Sequence, residues 1–412
     1  MSFIKDSANR TPIVDNVFVI VDMAKKAEAK LGKDAVINAA IGSLYDEDGT
    51  LSAMDIVYDT LKNIDNKKMA AYAASFVGNP DFRKDVANWV LDGRTDLYEE
   101  VIATPGGTGA VGVSIENTLE PGQTLIIPEI AWGSYALMAQ MNNLELARYS
   151  LFRDGGFNLD SLKETCREVM KKQDKIVLII NDPCHNPTGY SLSDQEWKDV
   201  IAFLNECSKT HSVVLINDIA YIDFAYSGKA SRDYMASFND ISDNMVVCIA
   251  FSISKSMTSY GLRCGAVIIL GKTEEAVTEM KIVIEKSARA VWSNINNGAM
   301  QMFSDIIENQ ADAYEKEKAE YVNLLKKRTD LFIEEAAACN LSHYPYKEGF
   351  FVTLDMDNDR AAKLHQALID ENIYTVKVNK GIRIALCSLP LDKVKGLASR
   401  IKEIEKKTFP ED

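Results

Sequence analysis

A lysine in an unusual setting is the first residue that suggests chemistry. Lys255 follows the apolar run VVCIAF (246–251) and stands among small hydroxyl residues in the stretch AFSISKSMTSYGLRCGA (250–266). Lysine is almost never fully buried unless it is paired. Arg263 comes eight residues later, so the stretch combines an amine, hydroxyls and a guanidinium. Groups of this kind can bind a phosphate and can form an imine with an aldehyde.

Other polar residues follow apolar runs in the same way. GGTGA (106–110) follows VIATP, and glycines at the start of a helix let the backbone bind an anion. NDPCHNPTG (181–189) follows KIVLII and contains Asn186, while Asp218 ends SVVLIND, with Tyr221 three residues later. Each has an ordinary structural interpretation, since an aspartate here could cap a helix. Together they favour a single site, because all follow strands of one predicted sheet.

The elements that must position these residues are short apolar runs separated by amphipathic stretches. The runs cover 101–105, 124–128, 144–151, 175–180, 212–218, 245–251 and 265–270. This alternation predicts an α/β fold with a mainly parallel seven-stranded sheet between helices, and ligands bind at the carboxyl ends of such strands.

The end of the chain has a different pattern. A long amphipathic helix is predicted over 299–338, and 345–412 is typical of a small α+β domain. We predict a large domain over 50–320 and a small domain formed by 1–49 together with 321–412.

Composition narrows the class of protein. The chain has 412 residues, 47% of them hydrophobic, and a formal net charge of −14, which argues against nucleic acid and anionic membranes as partners. It contains no apolar stretch long enough to span a bilayer, and its first ten residues lack the apolar core of a signal peptide, so we expect none. Seven separated cysteines predict free thiols in the cytoplasm, and four scattered histidines predict no metal site.

The polar residues match the needs of one cofactor. Amides of GGTGA, hydroxyls of Thr108, Ser252 and Ser254 and the guanidinium of Arg263 suit a phosphate. A buried Asp218 suits a protonated ring nitrogen, Tyr221 and Asn186 suit a phenolate oxygen, and Lys255 suits an aldehyde. The cofactor that presents all four groups is pyridoxal 5′-phosphate (PLP).

The sequence also resembles the fold-type I, class I aminotransferases, in the aspartate and aromatic aminotransferase branch. The matching stretches are INAAIGSLYDEDG (37–49), AAYAASFVGNPDF (70–82), TPGGTGA (104–110), PEIAW (128–132), CHNPTG (184–189), DIAY (218–221), SISK…GLRCGA (252–266), ARAVWSN (288–294) and RIALC (383–387). The combination of CHNPTG, S-x-S-K and a downstream arginine is highly specific. The resemblance implies the PLP-transferase fold and a homodimer with shared active sites.

The resemblance implies a role for each site residue. Lys255, Asp218 and Tyr221 would be catalytic, with Lys255 as the Schiff-base lysine that also shuttles a proton. The implied cofactor-binding set is Gly107, Thr108, Trp132, Asn186, Asp218, Tyr221, Ser252, Ser254, Lys255 and Arg263, with Tyr72 from the other subunit. The implied substrate-binding set is Gly42, Trp132, Asn186, Arg289 and Arg383, of which Arg383 would bind the α-carboxylate.

Arg289 is the position that bears on substrate specificity. Arg289 aligns with the arginine that reads a side-chain carboxylate in the family, although an exposed helix arginine is the alternative interpretation. Aromatic-accepting relatives keep this arginine, so either acidic or aromatic amino acids could be donors.

The residues after Trp132 are GSY rather than P-N-H, and so Tyr135 stands where the family has a histidine.

The predicted activity is PLP-dependent transamination of an L-amino acid, either aspartate or glutamate or an aromatic one, with 2-oxoglutarate or another 2-oxo acid. The exchange would be ping-pong through pyridoxamine phosphate. One alternative is a PLP-dependent C–S or other lyase on the same fold. A PLP-binding regulator is less favoured, because this chain has neither the extra length nor the basic face of a DNA-binding module.

Overall fold

The computed structural model describes residues 3–5, 8–13 and 16–410. The β-strands are β1 (Ile37–Asn38), β2 (Tyr98–Thr104), β3 (Thr124–Pro128), β4 (Glu145–Tyr149), β5 (Phe152–Arg153), β6 (Gly156–Phe157), β7 (Lys175–Asn181), β8 (Ser212–Asp218), β9 (Met245–Ser252), β10 (Gly265–Gly271), β11 (Phe351–Asp355), β12 (Ile373–Tyr374), β13 (Val376–Val378) and β14 (Gly381–Ala385). The α-helices are α1 (Asn16–Leu31), α2 (Asp55–Asn63), α3 (Asn66–Ala70), α4 (Pro80–Leu91), α5 (Gly106–Glu116), α6 (Ser134–Met141), α7 (Leu159–Met170), α8 (Asp194–Cys207), α9 (Ile253–Ser256), α10 (Glu274–Val291), α11 (Asn297–Asn309), α12 (Ala311–Cys339), α13 (Asn358–Asp370), α14 (Leu391–Val394) and α15 (Leu397–Thr408).

The chain forms two compact units. The first unit contains the described residues up to Asn9 together with Ala53–Pro183 and Leu192–Lys318. The second unit contains the described residues of 10–52 and 319–412 together with Cys184–Ser191. The large domain over 50–320 and the small domain formed by 1–49 and 321–412 remain a prediction.

The first unit is built on a seven-stranded sheet with the order β2-β10-β9-β8-β7-β3-β4. Neighbouring strands run parallel from β9 to β4, and β10 is antiparallel to both of its neighbours. All seven apolar runs became strands of this sheet, and the predicted α/β fold is confirmed. The central strands β7, β8, β9 and β10 are almost entirely buried, as expected for a sheet covered on both faces, whereas β2 and β4 at its two edges carry exposed charged residues.

The register brings several strand ends to one edge of this sheet. Gly265 pairs with both Thr104 and Ser252, while Asp218 pairs with Ala250 and Asn181. Strands β2, β9, β8 and β7 therefore end side by side, and the loops that follow them share this edge. We call this the strand-end edge.

The second unit has its own sheets and core. Strands β11, β14 and β13 form an antiparallel sheet in that order, and β1 pairs in parallel with β12. Its core contains Phe332, Val352, Leu364, Ile382 and Ile401, all fully buried.

One predicted helix is wrong in its extent. The segment predicted as a single helix over 299–338 forms α11 and α12, separated by Gln310 with φ −137° and ψ 20°. The side-chain amide of Gln310 donates to Thr60 Oγ1 at 2.9 Å. This contact with a residue distant in sequence accompanies the break, and apolar periodicity alone does not reveal it.

Candidate active site

Arg263 joins two of the loops at the strand-end edge. Its Nη1 donates to Ser254 Oγ at 3.3 Å and to the carbonyl oxygen of Tyr260 at 2.9 Å. Its Nη2 lies 3.5 Å from the carbonyl oxygen of Pro105, the residue before α5. One guanidinium thus lies between the start of α5 and the loop that follows β9.

Two glycines leave space beside the Arg263 guanidinium at the start of α5. Gly106 has φ +73°, and a Cβ there would lie 2.7 Å from Arg263 Nη2. A Cβ on Gly107 would lie 3.3 Å from Ser252 Cβ. Helix α5 begins at Gly106 and directs its first N–H groups toward this space, with Thr108 exposed in the first turn. The arrangement is suited to an anion, because a helix N-terminus and a guanidinium both favour negative charge.

Lys255 lies in the short helix α9, directly after β9. Its Nζ is 4.7 Å from the centre of the Tyr260 ring and 5.6 Å from that of the Tyr221 ring. Aromatic faces attract ammonium groups at such distances. The amine of Lys255 is therefore held beside Tyr221, in the loop that follows Asp218.

Asp218 ends β8 and is 5% exposed. Its Oδ2 accepts a hydrogen bond from the Tyr135 hydroxyl at 2.6 Å, and its Oδ1 accepts one from the backbone N–H of Ala220 at 3.1 Å. Burial raises the pKa of Asp218, and these two hydrogen bonds act in the opposite direction. The Trp132 ring packs edge-to-face on Tyr135 with the centres 5.4 Å apart.

Buried amides fix the backbone around Asp218. Asn181 Nδ2 donates to the Asp218 carbonyl oxygen at 2.8 Å. Asn217 Nδ2 donates to the Asp182 carbonyl oxygen at 3.1 Å, and Asn217 Oδ1 accepts from the Tyr234 hydroxyl at 2.7 Å. Side chains that satisfy the backbone polar groups at the ends of β7 and β8 hold this edge in one conformation.

A buried ion cluster lies behind Tyr221. Asp223 Oδ1 accepts from Arg232 Nη2 at 2.7 Å and lies 3.8 Å from Lys318 Nζ, while its Oδ2 accepts from Trp89 Nε1 at 3.2 Å. Burial alone would raise the pKa of Asp223, but the charges of Arg232 and Lys318 outweigh it and lower the pKa to about 2. The loop after β8 is therefore anchored by charge at Asp223.

The second unit brings together three predicted substrate or cofactor residues. Arg383, on β14 and 6% exposed, donates to the Ala40 carbonyl oxygen at 2.9 Å and lies 3.4 Å from Asn186 Oδ1. Its guanidinium stacks 4.4 Å from the centre of the Phe351 ring, and a Cβ on Gly42 would lie 3.4 Å from that ring. Arg383, Asn186 and Gly42 are thus close neighbours.

Two other predicted residues have a different set of contacts. Arg289, in the last turn of α10, donates to Ser293 Oγ at 2.5 Å and stacks 4.8 Å from the centre of the Phe76 ring. The Tyr72 side chain is 86% exposed. Both belong to an aromatic surface segment, which we define as residues 72–76 and 289–294, joined by the hydrogen bond from Ala73 N to Asn294 Oδ1 at 2.7 Å.

Sequence reasoning missed three residues that contact the predicted site. Tyr260 packs on Lys255, Phe351 packs on Arg383 and Phe76 packs on Arg289. An aromatic five residues after the lysine was a weak signal for Tyr260. Phe351 and Phe76 gave none, since each meets its arginine only through the fold.

Comparison with known proteins agrees with this geometry. Residues 34–401 match the model of the family described as aminotransferase class I and II. The chain belongs to this aminotransferase family. Among curated proteins it is similar to the mitochondrial aspartate aminotransferase of Gallus gallus, with 21% identity over 90% of this chain and 88% of the relative.

Two solved structures illustrate the range of similarity. An aminotransferase from Anaerococcus prevotii shares 36% identity with a TM-score of 0.94 over 98% of this aminotransferase and 99% of that chain. An aromatic-amino-acid aminotransferase from Burkholderia pseudomallei, covalently bound to pyridoxal phosphate, shares the fold, with 20% identity and a TM-score of 0.79 over 98% and 100% of the two chains.

Family membership confirms the predicted PLP-dependent aminotransferase, its fold and its cofactor. Enzymes of this class act on amino acids and 2-oxo acids. Within the described ranges, no helix of this aminotransferase is long and apolar enough to cross a membrane.

The residues at the strand-end edge have the chemical groups that PLP requires. The space beside Gly106 and Gly107, which a Cβ would fill, is bordered by a guanidinium, by hydroxyls and by the start of α5, as a phosphate requires. An amine and a buried carboxylate lie beyond it at the same edge. The donor set therefore suits the phosphate, aldehyde and ring nitrogen of the cofactor.

Proposed function

We propose that the protein transfers the amino group of an L-amino acid, either aspartate or glutamate or an aromatic one, to 2-oxoglutarate or another 2-oxo acid in a ping-pong exchange. The observation that carries this proposal is the position of Lys255 Nζ, 5.6 Å from the ring of Tyr221 in the loop that begins at the buried Asp218. The amine and the carboxylate face the same edge of one sheet.

Lys255 is the residue that moves the proton. PLP, when bound, supplies an electron-withdrawing ring that stabilises negative charge at the substrate Cα. Lys255 Nζ would bind the cofactor aldehyde in the resting enzyme and then carry a proton to and from the substrate Cα. A positioned general acid–base is worth about 10²–10⁴-fold in rate.

Asp218 and Tyr221 would bind two different polar groups of the cofactor ring, the nitrogen and the phenolic oxygen. The Asp218 carboxylate would accept a hydrogen bond from the ring nitrogen and keep it protonated. Tyr221, with Asn186, would bond the phenolic oxygen, and Trp132 would stack on the ring. Gly107, Thr108, Ser252, Ser254 and Arg263 would hold the phosphate, with Tyr72 contributed by a second subunit.

Two arginines would select the substrate. Arg383 would bind the α-carboxylate, supported by its neighbours Asn186 and Gly42. Arg289 would bind a side-chain carboxylate, and its exposed side chain contacts Phe76 and Ser293. A charge-assisted contact of this kind contributes about 1.5–3 kcal/mol.

We also propose a homodimer in the cytoplasm. Tyr72, Phe76 and Val291 of the aromatic surface segment are 86%, 43% and 67% exposed, which favours burial against a second copy. The seven cysteines are free thiols, which supports a reducing compartment. Light scattering of the purified protein tests the first proposal, and detection in fractionated cells tests the second.

The activity is tested by an absorbance titration of the PLP-loaded protein with L-aspartate, L-glutamate and L-tyrosine in turn. We expect the visible band of the bound cofactor to be lost with a productive donor and restored by 2-oxoglutarate. Ammonia and the amino product are measured in the same samples. Release of ammonia without transfer to the 2-oxo acid would contradict transamination and support a lyase.

A further inference from the structure

Tyr135 places a buried hydroxyl against the carboxylate of Asp218. Tyr135 is fully buried and Asp218 is 5% exposed, and 2.6 Å separates the Tyr135 hydroxyl from Asp218 Oδ2. In a buried setting such a hydrogen bond is electrostatically stronger than in water. Its direction is therefore important for the charge that Asp218 carries.

The hydrogen bonds around Asp218 favour its ionised form. Oδ2 accepts from Tyr135 and Oδ1 accepts from the backbone N–H of Ala220 at 3.1 Å. A carboxylate has about four acceptor sites, and so capacity remains for a ring N–H. A group that donates to a carboxylate stabilises the charged form.

Tyr135 opposes the effect of burial on Asp218. Burial raises the pKa of Asp218, and the hydrogen bond from Tyr135 is the main influence in the opposite direction. Burial and the charge of Asp218 raise the pKa of Tyr135 itself, so its hydroxyl stays a neutral donor. The ring of Tyr135 is held edge-to-face against Trp132, which limits its rotation.

We propose that Tyr135 is a positioning residue that keeps Asp218 ionised and aimed, and that it thereby strengthens the hydrogen bond between Asp218 and the ring nitrogen of PLP. Tyr135 itself would not touch the reacting atoms. This inference rests on the proposed role of Asp218 at that nitrogen.

If Tyr135 only filled the core, its substitution would affect ligand binding in a different way. Loss of packing at Tyr135 would weaken the binding of any molecule with the shape of PLP. Loss of the hydrogen bond to Asp218 would weaken only a ligand that has a ring nitrogen. An analogue of PLP in which a CH group replaces this nitrogen separates the two effects.

The experiment measures the dissociation constants of PLP and of this analogue for the wild type and for Tyr135→Phe, by fluorescence titration of the cofactor-free protein. We expect Tyr135→Phe to weaken PLP binding about tenfold, on the scale of one hydrogen bond to a charged group. Binding of the analogue should change by less than about twofold.

Tyr149→Phe is the matched control. Tyr149 is also buried in the first unit, but its ring packs on Phe157, with the centres 6.0 Å apart. This control should leave both constants near those of the wild type. Equal weakening of the two ligands by Tyr135→Phe, or no weakening of PLP, would overturn the role of Tyr135. A wild type that binds the analogue as tightly as PLP would instead overturn the proposed role of Asp218 at the ring nitrogen.

Discussion

The strand-end edge and the aromatic surface segment belong to the same unit but hold their functional residues in different ways. At the edge, strand register and buried amides fix Asp218, and Lys255 and Arg263 contact partners within the same group of loops. In the surface segment, Arg289 is held by Phe76 and by one serine, with exposed apolar neighbours. The comparison shows that buried contacts fix the residues of the edge, whereas the surface segment is held by a few contacts among exposed side chains.

The substitution with the largest expected effect on turnover removes the amine of Lys255 at the strand-end edge. Lys255→Ala should lower the turnover number by at least about 10²–10⁴-fold, because no other group would move the proton at the substrate Cα. PLP should still bind, since the phosphate ligands remain. Steady-state kinetics and a cofactor-binding titration measure the two quantities.

The matched control is Lys272→Ala, which removes an exposed lysine after β10 that donates to the Asn239 carbonyl oxygen. It should leave turnover unchanged. Turnover of Lys255→Ala near that of the wild type would mean that the rigid edge does not carry the reaction.

The next effect tests how firmly charge anchors the loop behind Tyr221. Asp223→Asn should lower the free energy of unfolding by about 3–5 kcal/mol at neutral pH, because Arg232 and Lys318 would lose their buried partner. The folded-state pKa of Asp223, about 2, lies below its unfolded value of about 4. Its contribution should therefore be present above pH 4 and be lost as the pH falls toward 2.

Denaturant unfolding at several pH values measures this dependence. Asp233→Asn is the surface control, because Asp233 pairs with Arg94 but its side chain is 52% exposed. It should cost less than about 1 kcal/mol. A loss for Asp223→Asn as small as that of the control would show that the buried cluster does not stabilise the loop.

Arg383 provides a smaller effect that is common to all substrates. Arg383→Leu should lower kcat/KM about 10–150-fold for acidic and aromatic donors alike, since each loses the contact with its α-carboxylate. Arg400→Leu, an arginine whose side chain is 42% exposed in the same unit, serves as the control. A loss confined to one donor class would contradict the assignment of Arg383 to the α-carboxylate.

The smallest effect is selective and belongs to the surface segment. Arg289→Ala should lower kcat/KM for aspartate and glutamate about tenfold, because these donors lose one charge-assisted contact with their side-chain carboxylate. Aromatic donors should change by less than about twofold. Equal losses for the two classes would remove Arg289 from substrate selection.

Much of the rigid edge could be predicted from the sequence. Each of the seven apolar runs became a strand, because strands covered on both faces require continuous apolar residues. The polar residues that follow four of these runs predicted where the site lies. Asp218 ends one of these runs, Lys255 follows another, and Arg263 lies between that run and the next. The role of each remains a prediction that the variants above test.

The rest depends on contacts between residues distant in sequence. The break at Gln310 accompanies a hydrogen bond to Thr60, and Phe351 meets Arg383 only across two strands of the second unit. The sequence indicated that Tyr135 replaces a histidine, but only the folded chain revealed its hydrogen bond with Asp218. Local patterns cannot contain such pairs.

The role of Lys255 is tested by identifying the lysine that binds the cofactor. The PLP-loaded protein is reduced with borohydride and digested, and the peptides are analysed by mass spectrometry. We expect a pyridoxyl group on Lys255 of the wild type and no pyridoxyl-lysine anywhere in Lys255→Ala. Attachment to another lysine of the wild type, or a bound cofactor with no covalent attachment, would contradict this role.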